Sequence, residues 1–132
     1  MEGEIAVDGS NVVFWRGGQR DAAMPSLVTR ALRARRFVPT VYFDHSIHRH
    51  LTQDMLDELS AQTRIVIAPK GTQADALLLE AAVGTSIQIV TNDRFHDWRK
   101  TYPQLRTDTL VTGRIVKGGR VQFSKKLRAV PI

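Results

Sequence analysis

The chain contains no cysteine, which excludes disulfides, thiolate catalysis and every cysteine-based zinc site. Carboxylates and histidines are left as metal ligands. No apolar stretch approaches the roughly 20 residues needed to span a bilayer. The N-terminal MEGEIAVDGS shows none of the basic segment, apolar stretch and small-residue cleavage site that mark secretion. The expectation is a soluble, cytoplasmic protein without membrane association. Acidic residues are missing from one region as well, since none follows Asp108.

That last absence makes the charge uneven. Lys and Arg outnumber Asp and Glu by 19 to 13, a net charge of +6. Six of the basic residues, Arg114, Lys117, Arg120, Lys125, Lys126 and Arg128, lie beyond Asp108, so the preceding part balances at 13 basic against 13 acidic. A basic hairpin and tail, over about residues 110–132, thus follows a neutral body. Such a surface suits an acidic polymer, because each neutralised phosphate releases counterions; it serves equally as a solubility device. The length of 132 residues with 42% hydrophobic content fits one domain, 1–132, with a core that needs no staples.

Apolar residues along the chain alternate between two periods. Ile5 to Val7, Val38 to Phe43, Arg64 to Ala68 and Ile87 to Val90 are short and rich in β-branched residues, as strands buried on both faces should be. Between them, Leu27, Val28, Ala31 and Leu32, then Leu51, Met55 and Leu59, then Ala74, Leu77, Leu78 and Ala81 recur at helical spacing. Pro25 suits a first helical turn, Arg33, Arg35 and Arg36 a last one, and Gly84 a helix stop. The order βαβαβαβ predicts a parallel sheet with right-handed crossovers. Asp93 to Tyr102 reads as a short helix stopped by Pro103, and Thr109 to Thr112 as a fifth strand. RIVKGGRVQF has two β-like arms around Gly118 and Gly119, the signal of a two-residue hairpin.

Four aspartates stand where these runs end or begin: Asp8, Asp75, Asp93 and Asp97. Ligands of open parallel sheets bind beyond the carboxyl ends of the strands, near the point where strand order reverses. Asp8 and Asp93 follow strands directly, and Asp75 falls in the first turn of a helix. Asp97 lies one helical turn beyond Asp93 and shares its face if Asp93 opens a helix. Asp44 reaches the same rim farther from the centre. Any one of these aspartates alone reads as a helix cap or loop residue. Together they would repel unless a cation sat among them. Magnesium suits such a set, because it takes few carboxylates, keeps waters and bridges to phosphate oxygens.

VDGSNVV, ADALLLEAA and IVTNDRFHDW, in that order, resemble the signature blocks of the NYN-domain ribonucleases of the PIN-like superfamily, and of the Regnase-type catalytic domains in particular. The resemblance covers roughly residues 4 to 100. It implies a PIN-like three-layer α/β fold whose mostly parallel sheet has the order 3-2-1-4-5. It further implies a Mg2+- or Mn2+-dependent endoribonuclease that acts on single-stranded RNA and leaves 5′-phosphates. Asp8, Asp75, Asp93 and Asp97 would then be the catalytic, metal-binding carboxylates, Asn11 would steady the first block and Asn92 the last. The Regnase-type enzymes have two adjacent acids in the middle block, where this chain has Ala74 and then Asp75, so one ligand position is missing. Their zinc finger is absent too.

Other residues carry two readings each. Trp15, in a glycine-containing loop beside Arg16, can stack on a base. Lys70 and Arg94 can contact phosphate or stand as solvated cations. Ser10 bonds backbone or a metal-bound water. His96, between Asp93 and Asp97, binds or protonates substrate or faces solvent, while His45, His48 and His50 fit a solvated loop better than a metal site. Phe95 and Trp98 read as core or helix anchors. Two rivals to the nuclease stand: a non-catalytic RNA-binding module of the same fold, and a receiver-like phosphoacceptor. Homodimerisation and an antitoxin or other protein partner are compatible with the chain.

Overall fold

The structure, a computed structural model, describes residues 3–124 and 127. Lys125, Lys126 and Arg128 of the expected basic tail lie outside the described residues. The elements run β1 (Gly3–Asp8), α1 (Gly9–Val12), α2 (Met24–Ala34), β2 (Phe37–Phe43), α3 (Gln53–Gln62), β3 (Arg64–Ile67), α4 (Ala74–Ala82), β4 (Ile89–Val90), β5 (Leu110–Val111), β6 (Gly113–Val116) and β7 (Arg120–Phe123). The first five strands form one parallel sheet of order β3-β2-β1-β4-β5, and β6 and β7 pair antiparallel. This is the expected α/β fold, with the expected strand order and C-terminal hairpin. Among the described residues no helix is long and apolar enough to cross a membrane.

The central strands β1 and β4, with β5, are buried on both faces apart from Glu4, β2 alternates buried and half-buried residues, and β3 at the edge is at most half-buried, which explains the apolar runs of the centre. On one face Ile5, Val7, Val41 and Val90 pack with Val28 and Leu32 of α2, Leu56 and Leu59 of α3, and Trp15 and Val121. On the other, Ala6 and Ile89 pack with Leu78, Leu79 and Ala82 of α4, and with Phe95 and Leu105. Successive strand residues alternate sides, so Asp8, two residues past Ala6, emerges on the α4 side of the sheet end. Because β2 and β3 extend the sheet one way from β1 while β4 and β5 extend it the other, the strand order reverses between β1 and β4. Asp8 ends β1 at that reversal.

Several expectations shift in detail. Thr52 caps α3, its hydroxyl accepting the Met55 N–H at 3.2 Å. That start turns Leu56 and Leu59 inward and leaves Met55 43% exposed, instead of the Leu51, Met55, Leu59 face. In α4 the buried set is Ala74, Leu78, Leu79 and Ala82, with Leu77 and Ala81 only half-buried. The hairpin pairs Val116 with Arg120, so its loop holds three residues rather than two, with Gly118 and Gly119 at φ 91° and 78°.

The largest departure is the expected helix over Asp93 to Tyr102. Asp93 Oδ1 accepts the Phe95 N–H at 2.8 Å, and Phe95 takes a left-handed φ of 54° that carries its ring into the core, 1% exposed. Burial of that ring outweighs the local helical preference. Only a 3₁₀ turn, His96–Trp98, follows.

Gly9 has a packing reason for being glycine. A Cβ there would sit 2.3 Å from Phe43 Cε1 and 2.8 Å from Val41 Cγ1, both on fully buried side chains. Gly9→Ala should therefore destabilise the fold by about 1–3 kcal/mol, the usual cost of overpacking, which chemical denaturation will measure. A wild-type midpoint would contradict this account of the turn.

Candidate active site

The site grows from hydrogen bonds that stitch the β1 and β4 loops together. Asp8 is 3% exposed. Its Oδ1 accepts the Asn11 N–H at 3.3 Å and its Oδ2 accepts the Thr91 hydroxyl at 2.9 Å. Thr91 Oγ1 in turn accepts the Asp93 N–H at 3.0 Å, so one hydroxyl links the first and last acidic blocks. Asn11 Oδ1 accepts both the Trp15 indole N–H and the Asn92 N–H, each at 2.8 Å. Asn92 then clamps β6: its Nδ2 donates to the Gly113 carbonyl at 3.0 Å, and the Gly113 N–H donates to its Oδ1 at 3.0 Å.

A second set of bonds places Asp75. The Asp44 N–H donates to Ser10 Oγ at 2.8 Å, and Asp44 Oδ1 accepts the Ala74 N–H at 2.7 Å. Asp44 thus caps α4 from another strand, a favourable place for a negative charge. Asp75 follows in the first turn, where its Oδ2 accepts the Trp98 indole N–H at 3.0 Å. Asp44, Asp75, Asp93 and Asp97 line one cleft of about 760 Å³, with Gln73, His96, Trp98 and Thr101 on its walls. A larger cleft of about 970 Å³ lies between α2 and the hairpin. Among the described residues its lining includes no carboxylate or imidazole, so the smaller cleft is the candidate site.

Asp8 does not line this smaller cleft, but it feels the charges of two acids that do. Burial pushes its carboxyl up to about 7, the charges of Asp75 and Asp93 push the same way, and the Thr91 and Asn11 hydrogen bonds only partly oppose them. Asp75 is also raised, first by burial, then by Asp93, Asp44 and Asp97, against the Trp98 bond. Neither ion pair among the described residues, Arg16–Asp21 or Arg106–Asp108, brings a cation to these acids. No three His, Asp or Glu residues among those described are grouped closely enough to form a ready-made metal cage. A magnesium-type ion does not require such a cage, because it takes only one or two direct carboxylates and fills its shell with water. The donor set is all hard oxygen, fits Mg2+ or Mn2+, and would be relieved by a cation.

The remaining candidates fall into place unevenly. Asn11, Ser10 and Asn92 are tied into the framework by the bonds above. Trp15, expected to be a stacking platform, is 8% exposed. Its indole bonds Asn11 and its ring lies against Gly113, where a Cβ would come within 2.5 Å of it. It is a core anchor with almost no surface for a base. Arg16 is held by Asp21, Nε to Oδ2 at 2.6 Å. Lys70 and Arg94 are exposed. Asp93 and Asp97 share the cleft without a helix between them, and His96 lines it as well. His45 and His48 meet edge to face at 5.2 Å on an exposed 3₁₀ turn, His45–Arg49. Thr91, and the bond that Trp98 makes to Asp75, are what sequence reasoning passed over. The hydroxyl between a strand end and Asp93, and the indole directly after Asp97, were the available signals.

A family model described as the Zc3h12a-like ribonuclease NYN domain matches residues 2–118. The chain belongs to this NYN ribonuclease family. Membership displaces the receiver-like alternative. Two solved structures of the nuclear proteinaceous RNase P 2 (PRORP2) of A. thaliana share the fold, with TM-scores of 0.69 and 0.66 at 19% and 18% identity. Each alignment covers 92% of this chain and 29% of the plant protein, so this NYN domain spans under a third of those relatives. A search of curated proteins finds no match.

The raised carboxyl of Asp8 gives the NYN domain a pH signature in chelator. A carboxyl moved from 3.8 to about 7 on folding binds its proton more tightly in the native state. Its stabilising contribution is full below about pH 4 and disappears as pH rises through 7. Asp8→Asn should therefore gain stability relative to wild type between pH 5 and pH 8, as read by urea denaturation in chelator. An equal difference between the two proteins at both pH values would contradict it.

Proposed function

We propose that this NYN domain is a metal-dependent endoribonuclease that hydrolyses phosphodiester bonds of single-stranded RNA. What supports the reading is that Asp44, Asp75, Asp93 and Asp97 line one cleft, that the charges of Asp75 and Asp93 raise buried Asp8 while those of Asp93, Asp44 and Asp97 raise Asp75, and that neither ion pair among the described residues reaches these acids. Asp8, Asp75, Asp93 and Asp97 would hold Mg2+ or Mn2+, which when bound supplies an activated water and stabilises the departing oxygen. Asp44 and Trp98 hold Asp75 at the cleft, one through the N-terminus of α4 and the other through its indole. Thr91 and Asn11 hold the Asp8 carboxylate from both sides. Asn92 supports the last block, Ser10 steadies Asp44, and His96 stands where it can donate or accept a proton. Lys70 and Arg94, both exposed, suit contacts with phosphates flanking the scissile bond, and Arg16 would contribute only by leaving Asp21.

A non-catalytic RNA-binding module keeps one specific support, Ala74, which is fully buried and leaves the site one acid short of the Regnase-type pattern. Incubation of wild type and Asp8→Asn with labelled single-stranded RNA and DNA, with and without Mn2+, separates the two readings. The nuclease reading expects multiple-turnover RNA cleavage that needs metal, releases 5′-phosphates and falls at least about 100-fold in Asp8→Asn, as loss of a central charged group typically does. Undiminished cleavage in that variant or in chelator would sink it, and salt-sensitive binding without turnover would establish the module.

A further inference from the structure

We propose that Phe14, His50 and Arg20 form a base-stacking subsite for the single-stranded RNA substrate, at the rim of the acidic cleft. The inference rests on the RNA reading above and identifies a contact surface for it. The turn after α1 sends its two adjacent aromatics in opposite directions. Trp15 is buried, whereas Phe14 is 42% exposed, one of two exposed large hydrophobics among the described residues. Hydrogen bonds close the turn: the Phe14 N–H donates to the Asn11 carbonyl at 3.0 Å, the Gly18 N–H to the Phe14 carbonyl at 3.1 Å, and the Asp21 N–H to the Val13 carbonyl at 2.7 Å. Gly17 and Gly18, at φ 64° and 79°, allow it to close. Phe14 is thus presented on a fixed base, which lowers the entropy cost of stacking.

The neighbours of the ring match a polyanion that carries bases. His50 meets Phe14 edge-on, with ring centroids 6.2 Å apart, and its Nδ1 lies 2.9 Å from Arg20 Nη1. A guanidinium can only donate, so Nδ1 accepts and the ring proton sits on Nε2, free to donate to a base edge or phosphate. Asp21 is taken by Arg16, and Arg20 has no carboxylate partner among the described residues. The patch joins the cleft along two short paths. Phe14 follows Asp8 through α1, and His50 follows Asp44 through the His45–Arg49 turn, whose five residues rise on the order of 10 Å. A strand crossing the cleft would reach the patch within that distance.

The test is fluorescence anisotropy with a short, unstructured, labelled single-stranded RNA, in chelator so that no cleavage intervenes. Phe14→Ala should weaken binding about 5- to 150-fold, the range seen for loss of a base-stacking aromatic. Phe14→Tyr should keep affinity and Phe14→Leu should not, because leucine covers the surface without offering a π face. Arg20→Gln should lower the slope of log affinity against log salt by about 1. Wild-type affinity in Phe14→Ala, or equal affinities in the Leu and Tyr variants, would overturn the subsite while leaving the nuclease reading intact. Absence of RNA binding by the wild type would overturn both.

Discussion

A carboxylate is held out of water where the strand order reverses, and the arrangement around it depends on keeping it there. Asp8 ends the central strand, 3% exposed, within reach of two other acidic charges. Such a group is costly to ionise, and among the described residues the Asn11 N–H and the Thr91 hydroxyl offset the cost. The same two partners fix the neighbouring loops, since Thr91 also receives Asp93 and Asn11 also receives Trp15 and Asn92. The bonds that hold Asp8 therefore position the last acidic block and dock the hairpin as well. Natural proteins accept such local destabilisation where function requires it.

The middle block is built by a different device. Asp75 rides on the first turn of α4, and α4 is capped not by its own N-cap residue, Gln73, but by Asp44 from the end of β2. One side chain thus couples the register of the sheet to the placement of an acid 31 positions later in the chain. The Ala74 N–H is the group so capped, and its small side chain is fully buried where the Regnase-type pattern would put a second acid. Asp44 adds a negative charge to the same cleft from another direction.

What could be read from the chain divides along physical lines. Alternating apolar periods were enough for the order of elements along the chain and for which strand ends carry acids, because burial in a parallel sheet leaves a strong local imprint, whereas the strand order 3-2-1-4-5 came from the resemblance to the NYN-domain ribonucleases. Three features were not readable, two decided by packing between residues distant in sequence and one by a local helix cap. Phe95 broke the expected helix because its ring is buried in the core beside α4. Trp15 rather than Phe14 turned inward because Gly113, about a hundred residues away in sequence, leaves room for the indole. The inward face of α3 was set by the Thr52 cap, which selected Leu56 over Met55. At the site, the acids themselves were legible, whereas the partners that hold them, Thr91, Trp98 and the capping role of Asp44, depend on which loops the fold brings together.

A divalent cation among Asp8, Asp75, Asp93 and Asp97 is what we propose, and it would relieve the charges that raise Asp8 and Asp75. Calorimetric titration of Mn2+ into chelator-stripped protein at pH 7, repeated in buffers of different ionisation enthalpy, tests it most directly. Because the Asp8 carboxyl lies at about 7, binding should release a fraction of a proton that shrinks as the pH is raised, and Asp8→Asn should lose both the affinity and the proton. Absence of Mn2+ binding by the wild type, or binding by Asp8→Asn with the same affinity and proton release, would contradict the account.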